Sequence, residues 1–143
     1  MRIKLKQLDK ELPAPRPAHG GDAGVDLFSR INTTLKPGKR ALVPTGIAIA
    51  IPHGYAGFIQ PRSGLALNHG ISIVNTPGLI DSEYRGEVGV ILINLSMEKD
   101  FKVRRGDKIA QLVIQRIETI DFETVDELDN TRRGNGGFGS SGR

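Results

Sequence analysis

Glycine and proline interrupt this chain so often that long helices have no room to form. "PG" stands at 37–38 and again at 77–78, and "PHG" at 52–54. Pro44, Gly46, Gly57, Pro61, Gly64, Gly70, Gly86 and Gly106 fill the gaps between them. Each helix-interior glycine costs about 1 kcal/mol relative to alanine and each proline about 3 kcal/mol, so the segments between must be extended. Their patterns agree. Ile3 and Leu5 alternate with charge, Ile47, Ile49 and Ile51 alternate with small Ala48 and Ala50, and Ile71 and Ile73 flank a serine, as half-buried strands do. "EVGVILINL" (87–95) is apolar on both faces and "IAQLVIQRI" (109–117) nearly so, which marks them as central strands of a two-layer structure with the core between them. The spacing predicts an all-β, jelly-roll-like sandwich or barrel rather than a parallel α/β sheet. One short helical turn is predicted over "SGLALNHG", and "TIDFETVDELDN" (119–130) fits strand, loop or short helix equally.

With 143 residues there is material for one domain and a real core. Tryptophan is absent, so Val, Ile, Leu and Ala must build that core. Cysteine is also absent, which excludes disulfides, thiolate metal sites and a cysteine nucleophile. The N-terminal "MRIKLKQLDKEL" has no apolar h-region, and no run of 18 apolar residues occurs, so a soluble, cytoplasmic protein without a membrane partner is the expectation. The net charge of +4 suits an anionic ligand, although 16 acidic residues offset 20 basic ones with no long basic run.

The composition changes at the C-terminus. Five glycines and two serines surround Phe138 in "RRGNGGFGSSGR" (132–143), which cannot pack alone as a strand or helix. Two units are therefore expected: a β domain over 1–130 and a flexible, glycine-rich arm over 131–143. A glycine-rich terminus is most often a solvated tail. The ring of Phe138 and the charge of Arg133 instead suit a segment that closes over an anionic ligand with an aromatic face.

Four further stretches join glycine to a functional side chain: "AGVDLFS" (23–29), "PRSGLA" (61–66), "GLIDSEYRG" (78–86) with Asn75 before it, and "RRGDKIAQL" (104–112). Singly, each has a bland reading. Asp26 is a solvent-facing strand residue, Arg62 and Ser63 open a helical turn, Tyr84 is ordinary packing, and "RRGDK" is a hairpin turn. Collectively they hold what a triphosphate needs. Arg62 and Arg133 provide guanidinium forks for phosphate oxygens, Ser63 and Gln111 provide neutral hydrogen bonds, and glycine admits close backbone approach. Magnesium prefers oxygen ligands and keeps its waters, so it requires only phosphates and a nearby acid such as Asp26. His19, His53 and His69 are scattered beside turns and read as solvated or structural.

In order and spacing the five stretches resemble the five motifs of the trimeric deoxyuridine triphosphatases, from about residue 20 to the C-terminus. That resemblance implies a jelly-roll subunit in a homotrimer, with active sites where subunits meet and the C-terminal arm lying over a neighbour's site. It implies Mg²⁺-dependent hydrolysis of dUTP to dUMP and diphosphate, which keeps uracil out of DNA and supplies dUMP for thymidylate synthesis. Position by position, it makes Asp81 the general base for water attack on the α-phosphorus. Arg62, Ser63, Gly64, Gln111 and Arg133 become the phosphate ligands. Asp26 organises magnesium's waters or the neighbouring arginine, the metal being held mainly by the substrate's phosphates. Asn75, Gly78, Leu79, Ile80 and Gly89 meet the uracil edge, in a segment expected to fold as a hairpin that partly desolvates Asp81. Tyr84 lies against the deoxyribose, and Phe138 stacks over the base. Val25 and Arg132 depart from the family's usual residues without touching an implied chemical role. Two rivals remain at this level: a deoxycytidine triphosphate deaminase, and a nucleotide- or RNA-binding module without catalysis. The second gives no reason for Asp81 or for a lone tail aromatic, since replicate rings interleaved with basic residues would be expected.

Overall fold

The computed structural model describes residues 1–137, in which extended segments dominate. Strands run over Lys4–Gln7 (β1), Gly24–Phe28 (β2), Thr33–Leu35 (β3), Arg40–Pro44 (β4), Ile47–Ala50 (β5) and Tyr55–Gln60 (β6). After the helix α1 (Ser63–His69) come Ile71–Ile73 (β7), Gly78–Ile80 (β8), Gly89–Asn94 (β9), Phe101–Val103 (β10) and Lys108–Arg116 (β11). The helix falls where the sequence predicts it. It ends at Gly70, whose left-handed φ of 65° lets its amide return to the Ala66 carbonyl.

Two sheets carry the architecture: a four-stranded one in the order β2-β11-β6-β8 and a three-stranded one in the order β4-β9-β7. Two ribbons, β1-β5 and β3-β10, flank them, and every pairing is antiparallel. The predicted central strands β9 and β11 are internal to the two different sheets. Leu27, Ile59, Ile80 and Leu112 from one sheet pack with Val43, Ile71, Val90 and Leu92 from the other in a single buried cluster. Burying such side chains is worth about 1.5–3 kcal/mol each, which makes this cluster the main source of stability. The fold is a jelly-roll-like all-β structure, as expected. Among the described residues no helix is long and apolar enough to cross a membrane.

Two expectations need correction. "NTPGLIDSEYRG" is not a hairpin: β7 belongs to the three-stranded sheet, β8 to the four-stranded one, and β9 to the three-stranded one again. Residues 74–77 cross between the sheets in one direction and residues 81–88 cross back. "RRGDK" is not a hairpin turn either, because β10 pairs with β3 while β11 pairs with β2 and β6. In both places local turn chemistry specifies a reversal of the chain, and the choice of pairing partner is made by core packing. Residues 119–137 contain no strand or helix and are largely exposed, and Phe138 lies outside the described residues.

Candidate active site

Most of the residues singled out from the sequence gather in two cavities; Arg133 does not, and Phe138 lies outside the described residues. The first, about 400 Å³, is lined by Asp26, Arg62, Ser63, Gly64, Leu65, Asn68, His69 and Gln111. Strand register explains the convergence. Asp26 on β2 is opposite Gln111 on β11, and Gln111 is opposite Gln60 on β6, so β6 delivers Pro61 and Arg62 beside Asp26. Residues 108 and 111 would point to opposite faces of a regular strand. Between Lys108 and Ala110 the pairing with β2 slips by one residue, and the two side chains reach the same side. Lys108 Nζ then lies 2.8 Å from Asp26 Oδ2, and Arg62 Nε 3.1 Å from Asp26 Oδ1. Arg62 also donates to the Lys108 carbonyl at 3.2 Å, and Gln111 Nε2 donates to the Pro61 carbonyl at 3.0 Å.

Asp26 is thus held between two cations, one of which, Arg62, lines the cavity and is oriented by the pair. The first turn of α1 adds hydrogen-bonding capacity, because Arg62 at its N-cap makes no side-chain cap bond. A Cβ at Gly64 would meet nothing within 4 Å, so a ligand can approach that backbone freely. No group of three or more His, Asp or Glu side chains among the described residues could hold a metal ion. The donor set does not fit an all-protein cage, so a cation here would have to be carried on a ligand's own phosphates.

The second cavity, about 270 Å³, lies where the chain crosses between the sheets. Asn75, Gly78, Leu79, Ile80, Asp81, Tyr84, Glu87 and Gly89 line it, with Leu42, Ile59 and Ile91 among the apolar walls. Ile80 is buried and paired with Gly57, which fixes the backbone at Asp81. The Tyr84 amide donates to the Asp81 carbonyl at 3.2 Å, closing a turn that sets aspartate and ring on one loop. The Tyr84 hydroxyl donates to the Glu87 carbonyl at 2.9 Å. At Gly78 an added Cβ would lie 3.5 Å from Asn75 Nδ2, so the backbone approaches the Asn75 amide closely.

Partial desolvation of Asp81 is not met in the single chain: the residue is exposed, and among the described residues its carboxylate has no hydrogen-bond or ion-pair partner. It also lines a different cavity from Arg62, Ser63 and Gln111. Arg133 joins neither set. Its Nε donates to the Gly136 carbonyl at 2.8 Å within its own turn. The sequence reading missed Lys108 and Glu87. Both stand inside quoted stretches, but the bulge that turns Lys108 toward Asp26 has no local sequence mark.

The comparisons with known proteins agree with this fold. The dUTPase family model matches residues 10–142. The deoxyuridine 5'-triphosphate nucleotidohydrolase of Corynebacterium glutamicum is 58% identical over 141 residues, covering 99% of this chain and 95% of that protein. Its counterpart in Rhodococcus erythropolis is 58% identical over 142 residues, covering 99% and 87%. Among solved structures, Staphylococcus bacteriophage 80alpha dUTPase with dUpNHpp superposes with a TM-score of 0.90 at 32% identity, covering 99% of both chains. A mutant dUTPase from phage phi11 of S. aureus, described with a coordinated structural Mg(II) ion, gives 0.81 at 28% identity, covering 89% and 98%. On sequence and structure together, the chain belongs to the dUTPase family.

Proposed function

We propose that this protein hydrolyses dUTP to dUMP and diphosphate, with Mg²⁺, at sites completed by neighbouring copies of the chain. The observation that carries the reading is the division of the site residues by chemistry. Asp26, Arg62, Ser63 and Gln111 form a cavity whose guanidinium, hydroxyl and amide donors suit phosphates, and Asn75, Gly78, Asp81, Tyr84 and Gly89 form a smaller one suited to a nucleoside. The relatives named as dUTP nucleotidohydrolases, and the phage enzyme solved with the dUTP analogue dUpNHpp, support the substrate class.

In the proposed reaction Asp81 takes a proton from water as the oxygen attacks the α-phosphorus. The bond from that phosphorus to the bridging oxygen breaks, and diphosphate leaves. A general base of this kind contributes on the order of 10²–10⁴-fold. Arg62, oriented by Asp26, and the amide of Gln111 stabilise charge on the phosphate oxygens. When bound, Mg²⁺ would supply further charge neutralisation on the phosphates, and Asp26 is the residue that would hold its waters. Asn75 and the backbone of residues 78–80 and 89 pair with the uracil edge. Cytosine, with an amino group where uracil has a carbonyl, would leave buried polar groups unpaired. Tyr84 stands against C2' of the sugar and excludes a hydroxyl there. Arg133 and Phe138, from the arm of a second subunit, close over phosphates and base.

A homotrimer accounts for three features of the isolated chain. Asp81 and Arg62 line separate cavities, so one copy does not present base and phosphate ligands together. Leu42, on the outer face of β4, is 66% exposed beside half-buried Ile91 and Ile93. Along the segment after β11, Ile120, Phe122 and Leu128 are at least 70% exposed. Exposed apolar side chains of this kind are what a contact with another chain would cover.

The deciding assay supplies Mg²⁺ with dUTP, dCTP, dTTP or UTP in ¹⁸O-water and follows diphosphate and ammonia. Diphosphate from dUTP alone, with the label in dUMP, is the expected result. Ammonia from dCTP would instead indicate a deaminase, label in diphosphate would place attack at the β-phosphorus, and no turnover would leave a binding module.

A further inference from the structure

Three carboxylates and two arginines outside the proposed reaction form a continuous network behind the crossing of residues 81–88. The Glu87 carboxylate accepts the Gly46 amide at 2.8 Å and Arg30 Nη1 at 3.2 and 3.4 Å. Arg30 Nε lies 3.7 Å from Asp9 Oδ2. Arg105 Nη2 reaches both oxygens of Asp9 at 2.8 Å and Glu11 Oε2 at 2.9 Å. Glu87 also carries the carbonyl that accepts the Tyr84 hydroxyl, and it lines the same cavity as Tyr84 and Asp81.

We infer that Glu87, anchored by Arg30, is a positioning residue for sugar selectivity: together with the Val88 amide, which donates to the Ile47 carbonyl at 2.8 Å, it fixes the peptide that holds the Tyr84 hydroxyl, and so the ring against which the sugar rests. The inference depends on reading this cavity as the deoxynucleoside site. Its physical ground is that Tyr84 is 46% exposed, so packing alone does not immobilise the ring. The ring lies across the backbone of Gly86, where an added Cβ would strike it. It is fixed at its two ends, by the Tyr84 amide to Asp81 and by the hydroxyl to Glu87. A ring can exclude a 2'-hydroxyl only if it cannot retreat by about the width of an oxygen. With the Glu87 side chain removed, the peptide keeps only the Val88 tie and can tilt about it, so the far anchor weakens and the ring yields. One ordinary hydrogen bond corresponds to roughly a fivefold change in the population of the held ring.

The test measures kcat/KM for dUTP and UTP in the parent, Glu87→Ala, Arg30→Ala, Glu87→Gln, Tyr84→Phe and the Glu87→Ala/Tyr84→Phe double variant. Glu87→Ala and Tyr84→Phe should each lower the preference for dUTP over UTP by roughly fivefold, and the double variant by no more than either alone. Arg30→Ala should follow Glu87→Ala, while Glu87→Gln, which keeps an acceptor for the Gly46 amide, should retain most of the preference. Since the chain has two tyrosines, ring ¹³C-ζ labelling gives a Tyr84 signal identified by its loss in Tyr84→Phe, and Glu87→Ala should shift it. A parent that hydrolyses no dUTP overturns the functional reading and the selectivity role with it. In an enzyme active on dUTP, an unmoved Tyr84 signal, an unchanged preference in Glu87→Ala, or additive effects in the double variant overturns this inference alone.

Discussion

Arg62 Nε sits 3.1 Å from Asp26 Oδ1, and Lys108 Nζ closes on the other oxygen of the same carboxylate at 2.8 Å. The strand register and the slip at Lys108 and Ala110 create this clamp, and the clamp holds Arg62 at the wall of the cavity it shares with Ser63 and Gln111. The three side chains are between 23% and 46% exposed, so their ion pairs contribute at most about 1 kcal/mol to stability. Replacing Asp26 with Asn should therefore shift the melting temperature little, while kcat/KM for dUTP falls at least roughly tenfold through misplacement of Arg62. Melting curves and diphosphate release, measured on the same preparation, separate the two effects.

The network around Asp9 gives stability a dependence on pH. Partial burial acts to raise the pKa of this carboxyl. The Arg105 hydrogen bond, the Glu11 backbone amide and the charges of Arg105 and Arg30 outweigh it, and hold the pKa below 3.8. A carboxyl with a folded pKa below its unfolded value stabilises the native state above the unfolded value, and that contribution is lost as pH falls through the folded pKa. Urea midpoints followed from neutral pH to below 3.8 should fall more steeply for the parent than for Asp9→Asn. Arg105→Ala should likewise flatten the curve.

Gly46 joins the same network to the turn before β5. Its φ is 73°, and an added Cβ would lie 2.9 Å from Asp9 Cβ and 3.3 Å from Leu12 Cδ1. Backbone strain and crowding act together, so Gly46→Ala should cost about 1–3 kcal/mol in urea unfolding. Gly64→Ala serves as the comparison. With no atom within 4 Å of the new methyl, its stability should stay within about 0.5 kcal/mol of the parent.

Removing residues 134–143 tests the arm. Residues 119–137 add no strand or helix to the described fold, so the truncated chain should melt close to the parent. Its dUTP hydrolysis should fall to a small fraction if Phe138 stacks on the base and the arm excludes water. Full activity would remove the arm from the account.

Much of this is legible in the sequence, and the boundary between what is and is not is physical. The helix after Arg62 and the strands around Ile47, Ile71, Val90 and Leu112 follow from local periodicity and punctuation, which need no knowledge of partners. The crossings at residues 74–77 and 81–88 are not legible. A turn written as Thr-Pro-Gly or Asp-Ser-Glu-Tyr reverses the chain without stating which sheet receives it. The slip that brings Lys108 to Asp26 is set by pairing with β2, and the tie from Tyr84 to the Glu87 carbonyl depends on backbone geometry. Arg133, singled out as a phosphate ligand, bonds within its own turn in one copy of the chain.

The central claim is that Asp81 acts as the base, and Asp81→Asn in single-turnover hydrolysis of dUTP tests it most directly. The account predicts a variant that assembles and binds dUTP with the parent's affinity but hydrolyses it at least about 10²-fold more slowly. Hydrolysis at the parent's rate by a correctly assembled, nucleotide-bound variant would contradict it.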